Sequence, residues 1–333
     1  MREDISVMAL CLTYNHEDYL EDTLKGFVMQ QTDFRFVAVV IDDASTDKTA
    51  DVLRRYERQY PDVIKAIYLT ENHYSQKKPK LPYYKQWQDE AKYLAICEGD
   101  DYWTDPFKLQ KQVSFLENNP EYGLCFTDYS TSNQDHVIIQ ESCFANGKHR
   151  SADFKDHLLS QGYIAPMTWL YRNDVWQTIK TPIPFIDHSF AMALEFFQNS
   201  KVGYLSDNTA VHIVHKDSAC HQADPVKNFH YRYDVFKEQL FFAEKYAPEL
   251  INKISVSQYI EMLPDAISLC NIPFLKEAET FFASIGLDYN IFRSNAEYIL
   301  SLRRDAQMAR NSYAYRLGAT LLKPFKQLVK NRK

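Results

Sequence analysis

The chain has 333 residues, 45% of them apolar and 14% aromatic, and a formal net charge of −6. That length allows one large domain or two modest ones, with ample apolar material for a core. The acidic balance argues against nucleic acid as the main partner, and no apolar run is long enough to span a bilayer.

In chain order, Glu3 and Asp4 precede a wholly apolar run at 5–12 (ISVMALCL). Such a run reads as a strand buried on both faces, with no signal-peptide pattern ahead of it. Leu20, Leu24, Phe27 and Val28 give 17–31 the spacing of an amphipathic helix. A second buried strand follows at 35–41 and a second helix at 46–60. Strands are predicted at 64–69 and 93–97, separated by a polar, lysine-rich loop at 71–81. A helix at 106–118 is expected to carry Pro106 in its first turn. Residues 122–131 and 136–143 alternate as strands do, and from about 226 the pattern is largely helical. These elements imply an α/β domain over 1–222 and a helical region over 223–333, with a mainly parallel sheet flanked by helices in the first.

None of the six cysteines forms a CxxC pair, and Cys11, Cys97 and Cys125 sit inside apolar runs. They read as small hydrophobes in a reducing, cytoplasmic setting, not as a zinc site or a disulfide framework. Residues 303–333 hold nine Lys/Arg against one Asp, so the acidic excess belongs to the rest of the chain. Leu317, Leu321, Phe325 and Leu328 recur at helical spacing within that basic tail. It reads either as an interfacial helix on an anionic membrane, at its inner face, or as an element packed on the acidic body or on a second copy of the chain.

Ligands of parallel sheets bind beyond the carboxyl ends of the strands. The first strand ends in Thr13, Tyr14 and Asn15, the second in Asp42 and Asp43, and the fourth in Glu98, Gly99, Asp100, Asp101, Tyr102 and Trp103. A lone Asp pair is common in turns and caps. Two pairs on one sheet edge repel each other unless a cation sits among them, and hard oxygen ligands suit Mg²⁺ or Mn²⁺.

The segments ISVMALCLTYNHEDYLEDTL, VVIDDASTDKTADVL and YLAICEGDDYWTDPFKL resemble the family 2 glycosyltransferases of GT-A fold. The resemblance is specific over about 5–130, looser to about 216 and weak beyond. It implies an inverting, metal-assisted transfer from a nucleotide-diphosphate sugar to a glycan or lipid-linked hydroxyl. By the same resemblance, Tyr14 borders the donor base, Thr13 and Asn15 line that pocket, and Asp43 accepts the N–H of uracil or thymine. Asp101 binds the metal and Asp100 holds the ribose or shares the metal. Trp103, and Trp169 within GYIAPMTWLYRND, face the acceptor. Asp187, in PFIDHSFAMALEFFQ, stands where the family has its general base, although a helix cap is the competing reading. His215 approaches the metal or phosphates, or is a plain strand histidine; His212 and His221 nearby leave the choice open. Lys77, Lys78, Lys80 and Lys85 replace the family's glycine-rich stretch and Arg-Asn pair, and one of them reaches the pyrophosphate or all are solvated.

A nicotinamide-dependent oxidoreductase or a sugar nucleotidyltransferase needs a glycine-rich turn after the first strand. Residues 12–20 contain no glycine. A catalytically inactive nucleotide-sugar-binding module remains the non-enzyme alternative.

Overall fold

The computed structural model describes residues 5–180, 188–214 and 224–311. Residues 1–222 and 223–333 form two compact units.

In the first unit the apolar runs form strands β1 (Val7–Thr13), β2 (Phe36–Asp42), β3 (Ile64–Tyr68) and β4 (Tyr93–Ile96). Between them lie helices α1 (Leu20–Val28), α2 (Thr49–Gln59) and α3 (Leu81–Glu90). Every residue of β2 is buried, as its unbroken FVAVVI run demands of a strand covered on both faces. The four strands pair in parallel, in the order β3-β2-β1-β4. Helix α3 has no anticipating periodicity, because none of its residues is fully buried.

The second half of the unit comprises β5 (Asp101–Trp103), α4 (Lys108–Asn118), β6 (Tyr122–Asn133), β7 (Ile138–Gln140) and α5 (Phe154–Ser160). It continues with β8 (Leu170–Arg172), α6 (Asn173–Thr178), α7 (His188–Asn199) and β9 (Lys201–Val214). Here parallel and antiparallel pairs mix, and the sheet runs on from β4 through β8, β6 and β9 to β5. The last strand, β5, leaves β4 by only four residues, so the sheet curls until β5 lies against α1, where Thr23 donates to the Asp101 carbonyl at 2.7 Å. Pro106 precedes α4 instead of opening it, since the helix starts at Lys108. Between Leu205 and Ala210 strand β9 advances five residues while β6 advances two, from Thr127 to Tyr129. This bulge is tied down by a 2.7 Å bond between Thr127 and Thr209 and by Asn208 donating to Ser130.

The second unit is helical: α8 (Pro225–Tyr246), α9 (Ile251–Ser268), α10 (Ile272–Ser284) and α11 (Tyr289–Asn311). Its core is aromatic, with Phe229, Phe236, Tyr259, Phe274 and Phe282 buried together. Arg232 and Arg303 converge on Asp265 at its surface. Among the described residues no helix is long and apolar enough to cross a membrane.

Candidate active site

The carboxyl ends of β1, β2 and β4 meet at one edge. Gly99 makes this approach possible, because a Cβ there would stand 2.5 Å from the Thr13 Oγ1. The acidic turn 98–101 therefore presses directly on the end of β1. Its charge is felt behind it: the Cys11 thiol is pushed up by burial and then by Asp100, Glu98 and Asp101.

Asp101 opens β5, and register sets it directly across from His212 on β9. Paired residues on adjacent strands project to the same face. His212 Nδ1 lies 2.9 Å from Asp101 Oδ1, which also accepts the Ile213 N–H at 3.0 Å. Oδ2 of Asp101 accepts no hydrogen bond among the described residues. Burial raises the Asp101 pKa and the Asp100 charge adds to it, against the pull of His212. Burial alone would lower His212, but the charge and hydrogen bond of Asp101, with Asp100 behind them, raise it. His16 Nε2 stands 3.9 Å from Asp100 Oδ2 on the opposite flank.

Among the described residues no group of three or more His, Cys, Asp or Glu side chains is gathered as a metal cage. A hard cation such as Mg²⁺ is commonly held by one or two carboxylates plus substrate phosphates. The Oδ2 of Asp101, which accepts no hydrogen bond among the described residues, together with the neighbouring Asp100 offers the oxygen donors such an ion takes.

On the β1–β2 side, Tyr14 is 41% exposed and presents its ring at the surface. Asn15 adopts a left-handed φ of 54° and accepts from the Thr46 N–H, while its own N–H donates to Ser45. It staples the β1 and β2 loops together. The Thr13 Oγ1 is buried without a hydrogen-bond partner among the described residues. Asp43 is nearly enclosed; its carboxylate accepts the His73 and Tyr74 N–H groups at 2.8 and 2.9 Å and pairs with Lys80 at 3.0 Å. Burial would raise its pKa, yet these three donors hold it below the usual carboxylate range. They fill three of a carboxylate's roughly four lone-pair positions, leaving one acceptor site.

Several expected positions differ. Lys85 lies on the exposed side of α3 and pairs with Asp89 one turn on, at 2.6 Å; the loop lysine drawn inward is Lys80. Trp103 and Trp169 are 2% and 0% exposed, and their indoles donate inward to the Met167 and Ile164 carbonyls. Both are core residues behind the site and offer no ring to an acceptor. Asp187 and His215 lie outside the described residues, as does His221; α7 begins at His188. The segment 162–174 forms a short 3₁₀ turn and β8 before α6 begins. His212 and Lys80 were each one of several candidates that the sequence could not single out. Their signal is positional: one is set by cross-strand register, the other by a loop folding over Asp43.

The sequence profile of the family described as Glycosyl transferase family 2 matches residues 10–179. An uncharacterized protein of Mycobacterium tuberculosis is 34% identical over 166 residues, covering 48% of this chain and 45% of its own. A Bacillus subtilis protein named for a teichuronic acid biosynthesis glycosyltransferase, TuaG, is 32% identical over 135 residues, 40% of this chain and 51% of its own. The chain thus spans about half the length of the curated relatives it matches. Among solved structures, S. aureus TarS 1–349 in complex with UDP-GlcNAc superposes with a TM-score of 0.56 at 16% identity, covering 91% of this chain and 92% of that one. A mannosyltransferase of Pyrobaculum calidifontis, in complex with GDP-Man and Mn²⁺, gives a TM-score of 0.50 at 16% identity, over 96% and 87%. These likenesses identify the curled α/β sheet with its helical C-terminal region as the fold of such enzymes.

Proposed function

The chain belongs to glycosyl transferase family 2, and from that membership we propose that it moves a sugar from a nucleotide-diphosphate donor to a hydroxyl of a glycan or lipid-linked acceptor. The observation that carries this reading is the paired Asp101 and His212 at the strand-end edge that Tyr14 and Asp43 share. A UDP-sugar is the proposed donor. The remaining acceptor site of Asp43 suits a base with a ring N–H, and Lys80 beside it suits the neighbouring carbonyl.

A divalent cation, Mn²⁺ or Mg²⁺, bound at Asp101 with Asp100 beside it supplies Lewis-acid stabilisation of the departing nucleotide diphosphate. The complexes of the Pyrobaculum enzyme with Mn²⁺ support this by analogy. His212 fixes Asp101 by engaging Oδ1, which leaves Oδ2 for the cation. Inversion needs a base opposite the leaving group, and Asp187 is proposed for it, taking the acceptor hydroxyl's proton. His215 is proposed as a further group near the metal. The basic tail is proposed to bring the enzyme to anionic lipid, where a lipid-linked acceptor resides.

The test is a panel of UDP-, dTDP- and GDP-sugars, assayed with Mn²⁺ for binding and for nucleotide release on adding acceptor. Tight UDP-sugar binding with acceptor-stimulated release is expected. Binding without release under any acceptor would leave only a binding module. Asp187→Asn is expected to keep donor affinity and lose roughly 10²–10⁴-fold in transfer.

A further inference from the structure

Strand β6 holds two neighbours with opposite duties. Asp128 is fully buried, and its carboxylate accepts the backbone N–H groups of Phe144 and Ala145 at 2.9 and 3.1 Å. Those bonds fix the segment after β7 as a tight loop. The Cys143 N–H donates to the Tyr129 carbonyl and the Lys148 N–H to the Cys143 carbonyl, both near 2.9 Å. Gly147, at φ +96°, makes the reversal that a side chain would strain. Lys148 is therefore delivered by a braced turn rather than by a free loop.

Its ammonium lies 5.0 Å from the centre of the Tyr129 ring and 4.8 Å from that of Tyr163, and it donates to the Tyr129 hydroxyl. Among the described residues it has no carboxylate partner. Its basic neighbours are committed elsewhere: His149 to Asp156, and Arg150 over the Tyr204 ring. Enclosure lowers the Lys148 pKa, so the charge is held at some cost until an anion arrives.

The direction follows from the sheet. The Tyr163 ring is 6.4 Å from that of His212, which touches Asp101. Lys148 is thus two rings, Tyr163 and His212, removed from Asp101 of the acidic turn, on the β6–β9 side. The base pocket of Tyr14 and Asp43 meets the acidic turn through Thr13 against Gly99, whereas Lys148 meets it through Tyr163 and His212 against Asp101. Lys80 already serves Asp43, so a second cation two rings beyond Asp101 is placed for the other substrate.

Resting on the glycosyltransferase reading above, we propose that Lys148 is a specificity-determining residue that receives a phosphate group carried by the acceptor, with Tyr129 and Tyr163 holding its ammonium in place. Lysine recognises phosphate as a point charge, and a charge-assisted hydrogen bond contributes about 1.5–3 kcal/mol, or roughly ten- to hundred-fold in affinity.

The experiment titrates the full chain, with Mg²⁺ and UDP together or with neither, against glucose 6-phosphate, glucuronate and glucose by ligand-observed NMR. Glucose 6-phosphate is expected to bind roughly ten-fold or more tightly than glucose. Lys148→Met should erase that ratio, Lys148→Arg should keep most of it, and UDP affinity should stay unchanged in both. Equal binding of glucose and its phosphate would overturn the proposal, as would a ratio that survives Lys148→Met. Glucuronate bound as tightly as the phosphate would also overturn it, since the site would then select charge alone. A Lys148→Met chain that loses UDP affinity instead assigns the lysine to the donor and rejects it too. A parent chain that ignores UDP fails the donor reading, and the phosphate-to-glucose ratio still reports on Lys148.

Discussion

At the scale of single residues, the site is a division of labour between the two oxygens of Asp101. Oδ1 is spent on His212 and the Ile213 N–H, and Oδ2 accepts no hydrogen bond among the described residues. Asp101→Asn, which removes the charge, is expected to lower transfer by on the order of 10²–10³-fold and to abolish Mn²⁺-dependent strengthening of UDP binding. Undiminished activity in excess EDTA would rule out this role. His212→Gln should weaken metal affinity by roughly 10–100-fold, the usual scale for a partner that orients a ligand, while metal-free UDP binding stays put. Titrating Mn²⁺ into donor-bound protein separates the two. The acid pair could be seen in the sequence because an apolar strand ended in two carboxylates. The histidine could not, because which of His212, His215 and His221 meets Asp101 depends on pairing across 111 residues of chain. Trp103 misled for a related reason: a large aromatic beside a polar motif has the same one-letter context whether its ring faces a ligand or the core.

At the scale of an element, α4 carries an oddity in its first turn. Lys108 is fully buried; its ammonium lies 2.7 Å from Gln112 Oε1 and 4.4 Å from the centre of the Trp103 ring, and burial pushes its pKa down to about 8. The unfolded chain therefore holds this proton between about pH 8 and the ordinary lysine value near 10.5, where the folded chain has released it. Its penalty is full below pH 8 and fades as pH rises through that window, by about 3 kcal/mol in all. Lys108→Met should thus gain stability relative to the parent at pH 7, and that gain should shrink toward pH 10. Paired urea melts at each pH would show it; a pH-independent difference would mean the ammonium is neutral or solvated throughout. The strands β1 to β4 and helices α1, α2 and α4 were legible because apolar runs and 3.6-residue stripes mark elements that bury a face. Helix α3 was not, since it buries none of its residues fully, and β8 was not resolved from its surroundings because three residues carry no period.

For the molecule as a whole, charge is the organising asymmetry, with the basic excess gathered in a C-terminal segment that lies largely outside the described residues. Each Lys or Arg close to an anionic surface contributes about 1 kcal/mol, screened by salt. Full-length protein is expected to co-sediment with phosphatidylserine vesicles at low salt and to leave them at high salt. A chain ending at residue 310 should stay in the supernatant under both conditions. Equal, salt-insensitive partitioning of the two would assign the tail to packing against protein. The pattern changes near 222 because strand alternation and helical stripes are local properties; the contacts of the fold divide it into units 1–222 and 223–333. The curl that brings β5 back to α1 was not legible in the sequence, because it depends on which edge each later strand chooses.

The irregularity between Leu205 and Ala210 gives the sheet a phase. Side chains along a strand alternate between its two faces, so an odd surplus of residues on β9 inverts everything downstream of it relative to β6. His212 meets Asp101 only because that inversion has happened. Site assembly is in this sense a parity condition: a one-residue deletion at Asp207 would leave both strands able to pair and the core largely intact, yet present the wrong face of β9 to the acidic turn. Such a variant should keep its far-UV dichroism and lose metal-dependent donor binding, whereas a two-residue deletion at 206–207 should shorten the bulge and preserve it. Length changes in this segment would therefore be read by the enzyme as odd or even before they are read as large or small.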